Sequence, residues 1–240
     1  MLKRFVQSTG EKMGRRTKTE YGPHFTARDA EMEVTKQHTD QLIKTIQSFT
    51  EPFVSHGLAT HNYVEALGET AEGLGRLLQR DSIFSHILLQ MAEAEAEIGQ
   101  SQRKLHEQIA STVVKDLDNW IRTVYAEYKE QCKRLERRRL EMDAHLTKAK
   151  AKTTEEREQK VAAATAAYDG QKQLVEHFHR QLTEAHKHHG QLLTTFLKFQ
   201  LQYHQQAIEV LDRRIVTSKT TRSTVQTQSS SIIPRNSFYR

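Results

Sequence analysis

Leu135–Lys152 reads LERRRLEMDAHLTKAKAK. Two patterns overlap in it. Leu135, Met142 and Leu146 recur at helical steps of seven and four, and basic residues fill much of the rest. From Lys133 to Lys152 there are eight Lys or Arg and three acids, the densest basic charge inside the helical part of the chain. One long helical pattern enters this stretch and another begins just after it. The stretch is therefore expected to be the outer tip of a helical hairpin that meets an anionic surface. A solvated helix face is the competing reading of such a charge run.

The entering pattern begins at Ser82, with Asp81 or Ser82 as its cap. Its apolar stripe runs through Ile83, Ile87, Met91, Ala94, Ile98, Leu105, Ile109, Val113, Leu117, Trp120, Val124, Tyr128 and Cys132 to the tip. The steps are mostly three, four or seven, as a helix-packing seam requires. Ser82 to Lys152 is on the order of 100 Å of helix. Thr153-Thr154-Glu155-Glu156 then supplies a capping box, with Thr153 as the cap and Glu156 three residues on. The next helix carries Val161, Ala164, Tyr168, Leu174, Phe178, Leu182, Ala185, His189, Leu192, Phe196, Phe199, Tyr203, Val210 and Ile215. A short turn between two long helices makes them antiparallel.

Upstream, Pro23 breaks the chain and Thr26 with Asp29 offers a cap. A first helix is expected from Ala27 to Thr50, with Val34, His38, Ile43, Ile46 and Phe49 at helical spacing, ending before Pro52. Residues 51–62 read as a connection. Residues 63–80 are helical again through Val64, Leu67, Leu74, Leu77 and Leu78, although Gly68, Gly73 and Gly75 weaken that pattern. No proline lies between Pro52 and Pro234.

Composition agrees with long helices and narrow seams. The chain has 240 residues, of which 36% are hydrophobic. Mean hydropathy is -0.73. That is too polar for a broad globular core. The fold class is all-α, with residues 23–217 as one elongated helical domain. Residues 218–240 hold four bases, no acid and many Ser and Thr, and are expected to be a disordered basic tail. A single cysteine, Cys132, excludes an internal disulfide framework and suggests a reducing compartment. Cys132 reads as a buried small apolar residue rather than a nucleophile. No run approaches ~20 apolar residues, so nothing is expected to span a membrane.

Charge is polarised along the chain. Residues 1–22 carry six bases and two acids, residues 27–100 five and twelve, and residues 101–160 fifteen and eleven. A polarised basic surface implies an acidic partner. On a helical wheel Leu2, Phe5, Val6 and Met13 share one face of residues 1–22, with Arg4, Lys12, Arg15, Arg16 and Lys18 over much of the rest. That is the pattern of a segment that folds on an anionic bilayer. A disordered terminus and a mitochondrial presequence are the alternatives, Glu11 and Glu20 counting against the latter.

No motif for catalysis is present: there is no phosphate-binding glycine loop, no G-x-S-x-G and no dinucleotide fingerprint. The histidines His177, His179, His186, His188 and His189 invite a metal argument, and His186–His189 has a usable spacing. No third ligand shares that face, so no metal and no cofactor is expected. The calculated isoelectric point is about 9.3. Yet no nucleic-acid-binding signature appears, and aromatics do not interleave with bases at the tip, so nucleic acid is not the expected partner.

Three stretches together resemble a known family. Trp120–Lys152, WIRTVYAEYKEQCKRLERRRLEMDAHLTKAKAK, contains Arg138 followed by Arg139-Leu140-Glu141-Met142-Asp143 and a Lys-rich end. His186–Asp212, HKHHGQLLTTFLKFQLQYHQQAIEVLD, adds histidines and central aromatics. Met1–Gly14, MLKRFVQSTGEKMG, closes on Glu-Lys-x-Gly. These resemble the BAR domain, and most closely the N-BAR module of endophilins. The resemblance implies three long kinked antiparallel helices in an elongated coiled-coil bundle, paired as a crescent-shaped homodimer. It also implies a peripheral, cytoplasmic protein that senses or generates curvature of acidic phospholipid membranes in vesicle trafficking or endocytosis.

On that reading Leu2, Phe5, Val6 and Met13 insert into the bilayer. Headgroups are met by Lys3, Arg4, Lys12, Arg15, Arg16 and Lys18 in the leader and by Lys133, Arg134, Arg137, Arg138, Lys148, Lys150 and Lys152 at the tip. Arg137–Arg139 are expected to divide among solvent, ion pairs and lipid, and Lys148, Lys150 and Lys152 have the strongest claim. Two departures from endophilins stand out. The connection after Pro52 shows no amphipathic basic insert. The chain stops where an SH3 domain usually follows, which makes proline-rich partners unexpected. A coiled-coil scaffold or cytoskeletal linker that never touches lipid is the rival reading, although no internal repeat supports it.

Overall fold

The computed structural model describes residues 7, 9, 18–50, 62–78 and 82–230, with side chains described to residue 216. The described residues are helical throughout apart from short connections, and no strand occurs among them. Helix α1 is Pro23–Thr50, α2 is Tyr63–Leu77 and α3 is Ile83–Gln108. A π-helical stretch, Ile109–Val114, leads into α4, Lys115–Trp120. A second, Ile121–Tyr125, leads into α5, Ala126–Ala151. Helix α6 is Glu155–Ser230. None of the described helices is both long and apolar enough to cross a membrane.

The chain forms two compact units. One comprises Met1–Ile46 and Val114–Leu192, the other Gln47–Val113 and Leu193–Arg240. The division therefore runs across the helices. Residues 218–230 are helical, where disorder was expected. Adding a residue to an existing helix costs far less than starting one, and no Gly or Pro interrupts the sequence there.

The first unit is held by heptads. Phe25 and Met32 of α1, Tyr128, Leu135 and Met142 of α5, and Tyr168, Val175 and Leu182 of α6 are all buried in one cluster with Trp120. Thr39 and Ile46 continue the α1 series at the same seven-residue step and are buried too. Such a spacing keeps one face of each helix on its neighbours. Two expected seam positions are one phase out. Val34 is 50% exposed while Met32 is buried, and Leu174 is 51% exposed while Val175 is fully buried. Helix α1 also starts four residues earlier than expected. Pro23 takes the first helical position, where its missing N–H costs nothing. Thr26 Oγ1 donates to the Gly22 carbonyl at 3.3 Å, inside the helix and not as its cap.

The π-helical stretches explain how one stripe survives a run of four-residue steps. In an α-helix each such step overshoots a full turn by about 40°, so Leu105, Ile109, Val113 and Leu117 would drift around the axis. Widening the turn removes the drift. All four are at most 4% exposed.

In the second unit α2 packs on α3 through small residues. Gly68, Ala71 and Gly75 are buried. A Cβ at Gly68 would lie 3.2 Å from the Ala92 carbonyl oxygen, and one at Gly75 would lie 3.1 Å from Leu89. Two of the three glycines that weakened the sequence pattern, Gly68 and Gly75, are therefore on the contact face, while Gly73 is exposed. Asn62 caps α2, accepting from Glu65 N–H at 2.8 Å, while the Glu65 carboxylate accepts from Asn62 N–H at 3.2 Å. Farther along, Ala94, Ile98 and Val210 form a small core with Val64, Tyr203 and Ala207. Arg213 donates to Glu97 at 2.8 Å, and Arg214 pairs with both Glu93 and Glu97.

Candidate functional site

The end of the α5–α6 hairpin is built from backbone carbonyls and one arginine. Lys152 leaves the helix in an extended conformation, and its N–H donates to the Lys148 carbonyl at 3.3 Å. Thr153 Oγ1 donates back to Ala149, so it ends α5 and does not cap α6. Thr154 does that instead, accepting from Arg157 N–H at 3.4 Å, and no capping box with Glu156 forms. Arg157 Nη1 donates to the carbonyls of Lys148 at 3.0 Å and Lys152 at 2.7 Å. A guanidinium at the carbonyl end of a helix satisfies orphan acceptors and opposes the helix dipole. Arg157 escaped the sequence reading because it lies in the acidic first turn of the next helix.

This clamp leaves the neighbouring amines free. Lys148, Lys150 and Lys152 are exposed, and no ion pair holds them among the described residues. Glu155, Glu156 and Glu158 face them across the turn in the sequence, Glu156 being engaged by Lys160. Lys150 and Glu158 border a shallow, mainly apolar cleft of about 380 Å³ with Leu146, Ala149, Val161 and Ala162.

Further back the basic residues are differently used. Lys133 and Arg134 both lie near Glu130, at 3.7 and 3.6 Å. Arg138 reaches Glu141 at 3.4 Å. Arg137 is exposed and makes none of these pairs. Arg139 is 1% exposed. Its guanidinium donates to Asp143 Oδ2 at 2.7 Å and to both Glu136 oxygens at 2.7 and 2.9 Å. Of the three arginines in the run, Arg139 is therefore structural and out of reach of lipid.

Asp143 has a second set of partners. Thr19 N–H donates to Oδ2 at 3.1 Å and Thr19 Oγ1 to Oδ1 at 2.5 Å. Tyr21 OH donates to Glu136 Oε2 at 3.3 Å, and burial together with Glu136 holds its phenol protonated well above the usual range. Tyr21 also stacks on Phe25, ring centres 4.9 Å apart. Of the expected leader residues only Lys18 is described, and it is exposed. Leu2, Lys3, Arg4, Phe5, Val6, Lys12, Met13, Arg15 and Arg16 lie outside the described residues.

Of the histidines, His179 and His189 pack inward, while His177, His186 and His188 are exposed. His186 Nε2 lies 2.8 Å from Thr35 Oγ1 in a hydrogen bond. The His189 ring meets Trp120 edge-on at 5.0 Å, and burial lowers its pKa to about 4. His179 packs against Phe25 and Tyr128, and burial lowers its pKa despite Asp29 at 4.0 Å. Burial pushes the Cys132 thiol up to about 11, so it stays protonated near neutrality. Both histidines titrate lower folded than unfolded. The stability carried by their neutral forms is full above about 6.5 and is lost as pH falls below that value, for His189 towards 4. The unfolding midpoint should therefore drop between pH 7.5 and pH 5. His189→Phe, which keeps an aromatic ring against Trp120, should flatten that dependence in thermal melts.

Comparison with known proteins places this geometry. The family model described as BAR domain matches residues 1–215. Endophilin-B1 of Gallus gallus is 27% identical over 88% of this chain and 62% of its own length. Endophilin-B1 of Homo sapiens is 26% identical over the same shares. The chain thus spans about three-fifths of the curated relatives it matches. Among solved structures, the N-terminal I-BAR domain of D. discoideum IBARa aligns over 89% of this chain and 94% of its own, at 15% identity and a TM-score of 0.46.

Proposed function

Since the chain belongs to the BAR domain family, we propose that it binds anionic membranes peripherally, on their cytoplasmic side, as a homodimer, and senses or generates their curvature during vesicle trafficking or endocytosis. The observation that carries this reading is the set of exposed, unpaired amines at the hairpin end, Lys148, Lys150 and Lys152. Each Lys or Arg near an anionic leaflet contributes about 1 kcal/mol. Three per protomer therefore give about 3 kcal/mol, and two protomers on one surface act together.

Dimerisation is supported by what the second unit leaves uncovered. Its small residues face inward, which turns large ones out. Leu67 and Leu74 on α2, Phe84, Ile87 and Met91 on α3, and Leu197, Leu201, Ile208, Leu211 and Ile215 on α6 are each at least 36% exposed. Along each helix they recur mostly at steps of three, four or seven. Stripes of that period are packing surfaces, and contiguous apolar patches on a soluble chain mark interfaces. The amino-terminal segment adds the second half of the proposal. Leu2, Phe5, Val6 and Met13 would enter the outer leaflet, each worth ~1.5–3 kcal/mol before the cost of ordering the segment.

Sedimentation with vesicles tests the reading. The chain should pellet with phosphatidylserine-rich vesicles at low salt, release as salt rises, and stay in solution with phosphatidylcholine alone. Failure to pellet with any anionic vesicle would favour a coiled-coil scaffold that does not touch lipid.

A further inference from the structure

The leader and the tip are not independent in this fold. Thr19 and Tyr21 lie just before α1, and both are bonded to α5. Their acceptors, Asp143 and Glu136, are in turn fixed by the buried Arg139 guanidinium. A buried, fully partnered charge is a rigid reference point, because any movement of Asp143 takes from Arg139 its one buried carboxylate partner in a site that water does not reach. The attachment lies far from the sequence neighbours of residue 19. It ties a chain end to a residue 124 positions away.

From Asp143 to Ala151 the helix rises about 12 Å. The attachment is therefore within two helical turns or so of Lys148, Lys150 and Lys152. We infer that Thr19 and Tyr21 form a latch that fixes where the amino-terminal segment joins the body, beside the tip lysines, so that leader and lysines act on one patch of membrane. The inference rests on the membrane-binding reading for its purpose but not for its geometry. Lys18, exposed and next to the latch, would add its charge to the same patch. Thr19 and Tyr21 are positioning residues: neither supplies charge nor apolar insertion.

The test separates geometry from function. Spin labels at Lys18→Cys and Ala151→Cys, in a Cys132→Ser background diluted with unlabelled chain, report the distance within one protomer. In solution the intact latch should give one narrow distance distribution. Thr19→Val with Tyr21→Phe removes two of the three hydrogen bonds and should broaden it at least two-fold. Thr19→Ser, which keeps the hydroxyl, should restore the narrow form. On phosphatidylserine vesicles the double variant should pellet within about two-fold of the parent yet deform vesicles several-fold less. An unchanged distribution in the double variant, with helix content intact, overturns the latch. Failure of the parent to pellet overturns the membrane reading and leaves the solution distances to decide the latch.

Discussion

Asp143→Ala should lower the unfolding free energy by about 3–5 kcal/mol, a large share of the stability of any single domain. The reason is the group left behind. Arg139 is 1% and Asp143 4% exposed, so the substitution strands a guanidinium that water cannot reach. Glu136 remains as a partner, but its side chain is 47% exposed and it does not replace the lost carboxylate. Thr19 loses two bonds at the same time. Denaturant unfolding at fixed protein concentration measures the loss. Replacing both ends, Arg139→Met with Asp143→Leu, should recover most of it, because two apolar side chains carry no desolvation penalty. A double variant as unstable as the single one would show that the ion pair contributes net stability, and not only register.

Charge reversal of Lys148, Lys150 and Lys152 together should weaken binding to phosphatidylserine vesicles by about 100-fold or more. At about 1 kcal/mol each, neutralisation alone removes about two decades, and reversal adds repulsion. These side chains carry no ion pair among the described residues, so helix content should not change. Lys133→Ala with Arg134→Ala is the informative control. Both lie near Glu130, and their loss should change binding only a few-fold. A control as damaging as the tip reversal would move the contact surface back along α5.

The fold class was readable from the chain because helical seams are periodic and their periods survive in the letters. The phase was harder. In α1 the buried series runs Phe25, Met32, Thr39 and Ile46. Ile43 and Ile46 are buried as their spacing predicts, but the polar third member hid the register of the first half, so that Val34 was favoured over Met32, and Phe49 is half exposed. In α6, Leu174 and Val175 are adjacent and equally apolar, and only the packing decides between them. The glycines of α2 were misread for a related reason. Propensity counts Gly as a cost to an isolated helix, whereas Gly68 and Gly75 permit a close approach that no isolated helix displays.

The tip was legible as charge but not as geometry. Lysines at 148, 150 and 152 stand out in the sequence, and the structure leaves them free. What the letters hid is which arginines are already occupied. Arg137, Arg138 and Arg139 look alike, yet one is exposed, one meets Glu141 and one is buried. An Arg followed by Asp four residues later is a common helix-surface pair. Burial changes its meaning, and the carboxylates that hold the buried guanidinium are also bonded by Thr19 and Tyr21, which arrive from the other end of the chain. The clamp by Arg157 was equally hidden, since nothing local distinguishes it from a surface arginine.

On the proposed reading, this chain deforms anionic membranes. Electron micrographs of large phosphatidylserine-rich vesicles incubated with the protein test that most directly. Tubules or small vesicles of narrow diameter range are expected, and their loss in the tip-reversed variant. Vesicles that stay large and round while pelleting with saturating protein would contradict that reading.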